Sequence, residues 1–179
     1  MSDEQLIHEI ILGDTSAFKI LMEKYQSQVF RTVMGFVHSK EDAEDITQDI
    51  FVKVYQSLTS FKGESELSMW LYRITVNISI NFVNRNRKSR LLQSLEDIFH
   101  KPSNEKTPLE ELEELERDQH IRKAIESLPE TQRTAFILSK YEELSQKEIA
   151  KIMNKTEGAI EQLLQRAKNS LQKKLTTQP

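Results

Sequence analysis

The sequence predicts an all-α protein: two small helical domains joined by an acidic linker, the second containing a helix-turn-helix. Apolar residues recur at helical spacing along most of the chain, and strand signals are weak. Only 4 Gly and 4 Pro occur among 30% charged residues, a composition that suits helices and disfavours β-rich or disordered chains. A glutamate-rich run between Glu105 and Asp118 parts two stretches that each carry their own apolar set.

The elements follow in order. Leu6 to Leu12 is a short amphipathic piece. Asp14 caps a longer helix whose stripe is Phe18, Leu21, Met22, Tyr25, Val29, Phe30, Val33 and Phe36. Ser39 with Asp42 caps a third, which turns Ala43, Ile46, Ile50, Val54 and Leu58 to one side. A loop from Thr59 to Glu66 holds Gly63. The fourth helix runs from about Leu67 to Lys88 and buries Trp70, Leu71, Ile74, Ile78 and Phe82. Its β-branched residues between Arg73 and Ile80 keep helical spacing, so it is helix and not strand. Residues 1–90 therefore form a first domain with a core of its own. Residues 91–118, with Pro102, Pro108 and the Glu run, are the linker, locally helical from Leu109. Ile121, Ala124, Ile125 and Leu128 open the second domain, 119–179, and Phe136, Ile137 and Tyr141 continue its core.

That domain ends in the most informative stretch. Ser145 with Glu148 is a capping box for a short helix presenting Ile149, Ala150 and Met153 on one face. Asn154 suits the left-handed residue that ends it, and Thr156 caps the next helix. There Ile160, Leu164, Ala167 and Leu171 form the buried stripe. The opposite face carries Glu161, Gln162, Gln165, Arg166, Lys168 and Asn169, groups able to meet base edges or phosphates.

Charge distribution says more than the net charge of −3. Arg85, Arg87, Lys88 and Arg90 lie together without an acid, and after Glu161 only basic charges follow. Two basic surfaces parted by an acidic segment suit nucleic acid. The absence of Cys excludes disulfides and thiolate chemistry, and the four His residues have no metal-type spacing. The N-terminus is not a signal peptide, and no stretch reaches the ~20 apolar residues of a membrane span. A cytoplasmic protein without membrane insertion, cofactor or catalytic site is expected.

Two exposed stripes remain. The third helix turns Asp42, Asp45, Gln48, Asp49 and Val52 outward, an acidic face with one aliphatic residue that suits a basic partner helix. Opposite the core of the fourth helix run Arg73, Asn77, Asn81, Asn84 and Lys88. Asn is a mediocre helix former, so three in one row run against local propensity, and their amides suit a phosphate backbone and its bases. The preceding loop (Phe61, Lys62, Gly63, Glu64, Ser65) is placed to enclose an unstacked base.

Residues 42–88 (DAEDITQDIFVKVYQSLTSFKGESELSMWLYRITVNISINFVNRNRK) resemble region two of the extracytoplasmic-function sigma factors of bacterial RNA polymerase. The segment from LPETQRTAF to the C-terminal basic helix resembles their region four. The resemblance implies that Asp42, Asp45, Gln48 and Asp49 bind the coiled coil of the polymerase beta-prime subunit, with the beta subunit also part of the core complex. It implies that Phe61, Lys62, Gly63, Glu64 and Ser65, with Arg73, Asn77, Asn81, Asn84, Arg85 and Lys88, engage the minus-ten element and the melted strand. The helix from Thr156, with Glu157, Glu161, Gln162, Gln165, Arg166 and Lys168, would read the minus-thirty-five element. The linker would lie in the polymerase channels, and an anti-sigma factor is implied as a further partner. This chain departs from the pattern with Glu161 after Gly-Ala-Ile, where a basic residue is usual, and Leu163 where Arg is common. A stand-alone helix-turn-helix regulator is the competing reading. It accounts for the second domain only.

Overall fold

The computed structural model describes residues 1–96 and 119–176, and for 88–96 the backbone alone; most of the expected linker lies outside the described residues. Local chemistry sets the helix starts. Ser2 and Gln5 form a capping box for α1 (Asp3–Ile11). Asp14 accepts from the Ser16 and Ala17 amides at 2.8 and 3.4 Å to open α2 (Thr15–Val37). Ser39 Oγ accepts from the Asp42 amide at 3.2 Å to open α3 (Lys40–Ser57). A 3-10 turn (Leu58–Ser60) leads through a loop to α4 (Leu67–Glu96), which continues past the Lys88 expected as its end. Then come α5 (119–126), α6 (Glu130–Lys140), α7 (Gln146–Met153) and α8 (Glu157–Thr176). Among the described residues there is no strand.

The N-terminal region, α1–α4, closes over a core that includes Leu6, Leu21, Val29, Ile50, Leu58 and Leu71. The C-terminal region has a small core of Ala124, Ile125, Leu128, Ala167 and Leu171. Between them lies a third core drawn from both. Phe36, Met69, Tyr72 and Val76 meet Ala135, Ile137, Leu138, Ile149 and Ile160. The two regions are thus packed against each other through apolar surface.

This packing corrects the expected burial of several residues. On α4 only Leu71 of the expected stripe is buried, while Trp70, Ile74, Ile78 and Phe82 are half-buried. A second face, Met69, Tyr72, Thr75, Val76 and Ser79, is buried as well, because α6 and α7 lie against it. Tyr141 and Ile121, expected in the second core, are 38% and 39% exposed. On α7, Ile152 is buried in the shared core and Met153 only half-buried, since Ile152 points at α4.

Two devices fix the contact. Gly35 on α2 sits against α6 so closely that a Cβ there would lie 2.7 Å from Ile137 Cγ2. Beside it, Arg31 Nε and Nη2 donate to the Glu142 carboxylate at 2.9 and 3.0 Å, and the Tyr72 hydroxyl donates to it at 2.9 Å. The Glu142 side chain is wholly buried. Burial, and then this carboxylate, push the Tyr72 hydroxyl up in pKa, so it stays a donor. Hydrogen bonds to a charged group contribute about 1.5–3 kcal/mol. Arg31 is more than half exposed, so water screens much of its Coulombic share.

Candidate nucleic-acid interfaces

Four surfaces carry the residues singled out by sequence, and the structure distributes them unequally. On α3, Asp45, Gln48 and Asp49 are exposed in a row. Among the described residues neither Asp45 nor Asp49 has an ion-pair partner. Asp42, expected on this outer side, is half-buried and lines a cavity between the two regions. Val52 is 56% exposed, as its position in the stripe implies.

Val52 is not alone. It borders an apolar groove of about 440 Å³ with Phe18, Met22, Phe51 and Tyr55, and Gln48 stands at its edge. Phe18 makes edge-on contacts with Phe51 and Tyr55, at ring separations of 6.5 and 4.9 Å. Sequence reasoning placed Phe18 and Met22 in the core and did not single out Phe51 or Tyr55. The available signal was Tyr55 three residues after Val52, on the same exposed side of α3.

The loop before α4 is held by one ring contact. Phe61 lies 5.1 Å from Trp70, both half-buried, while Lys62, Gly63 and Glu64 are exposed and Ser65 is half-buried. Gly63 has φ +71°, a left-handed conformation that turns the loop tip at little cost for glycine.

Along α4, Asn77 and Asn81 are exposed. The two ends of that row are engaged. Arg73 Nη2 donates to the Lys151 carbonyl on α7 at 2.9 Å, and Asn84 Nδ2 donates to the Glu130 carboxylate on α6 at 2.9 Å. Asn77 and Arg73 line a cleft of about 640 Å³ whose other wall is Glu130, Thr134, Ile152 and Asn154. Arg85 is exposed with its guanidinium 5.9 Å from the Phe82 ring, and the Lys88 side chain lies outside the described residues.

The helix-turn-helix forms as its local chemistry requires. Ser145 and Glu148 make the reciprocal capping box, and Asn154 has φ 51°, ψ 52°. Thr156 Oγ1 accepts from the Ala159 amide at 3.2 Å. Ile160, Ala167 and Leu171 are buried, and Leu164 is half-buried. Glu157, Glu161, Gln162, Gln165, Arg166 and Lys168 are all exposed on α8, with Gln165 Nε2 donating to Asn169 Oδ1 at 3.1 Å. This face is bare, polar and regular. Such a helix can enter a major groove. Among the described residues no helix is long and apolar enough to cross a membrane, and no group of acidic and His side chains is placed to hold a metal ion.

Comparison with known proteins bears on these surfaces. The family profile "Sigma-70 region 2" matches residues 21–89, and "Sigma-70, region 4" matches 118–171. The chain is 32% identical to the RNA polymerase sigma-H factor of Pseudomonas aeruginosa over 97% of its length and 93% of the relative's. It is 32% identical to the ECF RNA polymerase sigma-E factor of Escherichia coli K12, covering 98% and 95% of the two chains. Among solved structures, CnrH in complex with the cytosolic domain of CnrY has the same fold (TM-score 0.71, 20% identity, 99% of each chain). So does the sigma factor RpoE in complex with the anti-sigma factor NepR from Bartonella quintana (TM-score 0.61, 24% identity, 90% and 98%).

Proposed function

Because this chain belongs to the extracytoplasmic-function sigma factors of bacterial RNA polymerase, we propose a division of labour among its surfaces. The protein is an alternative sigma factor that directs RNA polymerase to promoters. Residues 1–90 act as the region-two domain and 119–179 as the region-four domain. The exposed row Asp45, Gln48 and Asp49 docks the beta-prime coiled coil, with Asp42 set back from it in the cavity between the regions. The apolar groove beside Val52 adds buried area to a contact that charge alone would leave weak and salt-sensitive.

The loop 61–66 and the α4 row from Arg73 to Lys88 engage the minus-ten element and the melted strand. Exposed Asn77 and Asn81 support that role. The bonds of Arg73 and Asn84 to the C-terminal region mean that a strand lying along the full row must first displace α6 and α7. The exposed face of α8 reads the minus-thirty-five element, with Gln162 reaching a base and Arg166 a phosphate. An anti-sigma partner is supported by the RpoE–NepR likeness in fold. A stand-alone regulator leaves the region-two match without a role.

The observation that carries this reading is the joint match of region two and region four on one chain, with Asn77 and Asn81 on α4 and the polar face of α8 left exposed. The test is transcription in vitro from a random promoter library with purified core polymerase. Initiation at a defined two-element promoter is expected, with the free protein binding duplex DNA weakly and with steep salt dependence. Tight sequence-specific binding by the free protein, without polymerase-dependent initiation, would overturn it.

A further inference from the structure

We propose that the cavity between the two helical regions binds a small molecule through a single oxyanion group. The cavity measures about 270 Å³ and has an apolar floor that includes Phe36 and Phe82. Its polar wall is contributed by both regions: Arg87 from α4, and Lys123 and Arg133 from α5 and α6.

Arg133 carries the argument. It is 2% exposed, yet among the described residues its one hydrogen bond is a long one, from Nη1 to the Glu126 carbonyl at 3.4 Å. Its Nε is buried without any acceptor. Among the described residues no carboxylate lies within ion-pair distance of it. A buried guanidinium without an ion-pair partner is costly, so such a group ordinarily sits against an anion. Burial, and next the like charge of Arg87, push the Arg133 guanidinium below its ordinary pKa, and Glu130 and Glu126 act in the opposite direction.

An oxyanion lodged between Arg133 and Arg87 meets the guanidinium groups that line the cavity and adds negative charge beside them. Lys123 is the third donor. Asp42 and Glu126, also in the wall, keep the site from favouring a polyanion and offer acceptors to a hydroxyl or amine on the same ligand. A cavity of about 270 Å³ is too small to admit duplex nucleic acid. A phosphate monoester and a carboxylate share the required chemistry. Because both regions build the wall, the occupied site favours their packed arrangement.

The experiment titrates the full-length protein with sodium phosphate and, separately, sodium acetate, against sodium chloride at matched ionic strength. Heat of binding and melting temperature are both read. Saturable one-site binding by phosphate or acetate is expected, with the melting temperature rising with ligand as mass action requires. The tighter of the two names the head group. Arg87→Ala and Lys123→Ala, at exposed side chains, should each weaken binding about tenfold while leaving the unliganded circular dichroism unchanged. The chain has no cysteine, so dyes at Ser27→Cys and Lys147→Cys report the approach of the two regions as the anion is added. No saturation beyond the chloride control would overturn the proposal. So would binding unaltered in Arg87→Ala and Lys123→Ala, which places the anion elsewhere. Loss of transcription in the library assay leaves this titration unaffected, so the two readings fail separately.

Discussion

The two polar rows proposed to meet promoter DNA lie in opposite situations. The face of α8 from Glu157 to Lys168 is bare. The row on α4 is pinned at both ends by Arg73 and Asn84 to the other region of the same chain. The difference comes from the apolar residues behind each row. Beyond its polar face, α8 turns Ala167 and Leu171 into the core of its own region and reaches the shared core only with Ile160, beside α6 and α7. α4 has two apolar faces, one for the N-terminal core and one for the C-terminal region, and the row borders the second. A polar row is therefore as available as the neighbour of its helix allows, whatever its composition.

The sharpest way to break this comparison is Ile137→Ala. Ile137 is fully buried in the shared core and abuts Gly35. Loss of its side chain should cost 2–5 kcal/mol, the usual range for about three buried carbon groups. Trp70 is the chain's single tryptophan and sits in the N-terminal region. Its urea transition should move with the α6 substitution. A Trp70 transition that stays in place would show the two regions unfolding independently.

Glu142→Leu comes next. It removes the acceptor of Tyr72 and Arg31 and should weaken the packed arrangement by about 2 kcal/mol. Solution scattering should then show a larger radius of gyration. An unchanged radius would mean that apolar contact alone holds the regions.

On the bare helix the expected effects fall on recognition. Gln162→Ala should change upstream preference by about 1–3 kcal/mol at one base position. Arg166→Ala should weaken all upstream sequences alike and reduce the salt slope by about one. Unchanged promoter selection and unchanged salt slope in both variants would remove α8 as the reader.

The smallest effect compares the rows directly. Asn84→Ala loses its bond to Glu130 and should cost up to about 1 kcal/mol of stability. Arg166→Ala, at an exposed side chain, should stay within about 0.5 kcal/mol. Equal values from chemical denaturation would mean that the α4 row is no more engaged than that of α8.

What sequence made legible was local. Asp14, Ser39, Ser145 with Glu148, Asn154 and Thr156 act within three residues of themselves, and each cap forms as expected. The exposed polar rows followed from helical period alone. The rest depends on residues far apart in the chain. Arg31 and Glu142 are separated by 111 positions, and neither side chain signals the other. Tyr72 and Val76 fall outside the apolar stripe expected on the fourth helix, and only the presence of α6 and α7 reveals them as a second face. Tyr55 and Phe51 become a groove only once α2 lays Phe18 and Met22 beside them. The lone Arg133 lies in the same class: its burial is a property of the assembled cavity.

Gly35 has a consequence for how strongly the factor binds. The notch it leaves for Ile137 adds to the free energy of the packed arrangement, which holds the ends of the α4 row. A partner that accepts only the separated arrangement sees the fraction of molecules in that state. Each kcal/mol favouring packing lowers apparent affinity for that partner by about fivefold, with every contact to the partner unchanged. One hydrogen atom where another residue would carry a methyl group thus bears on that affinity from a position packed against α6.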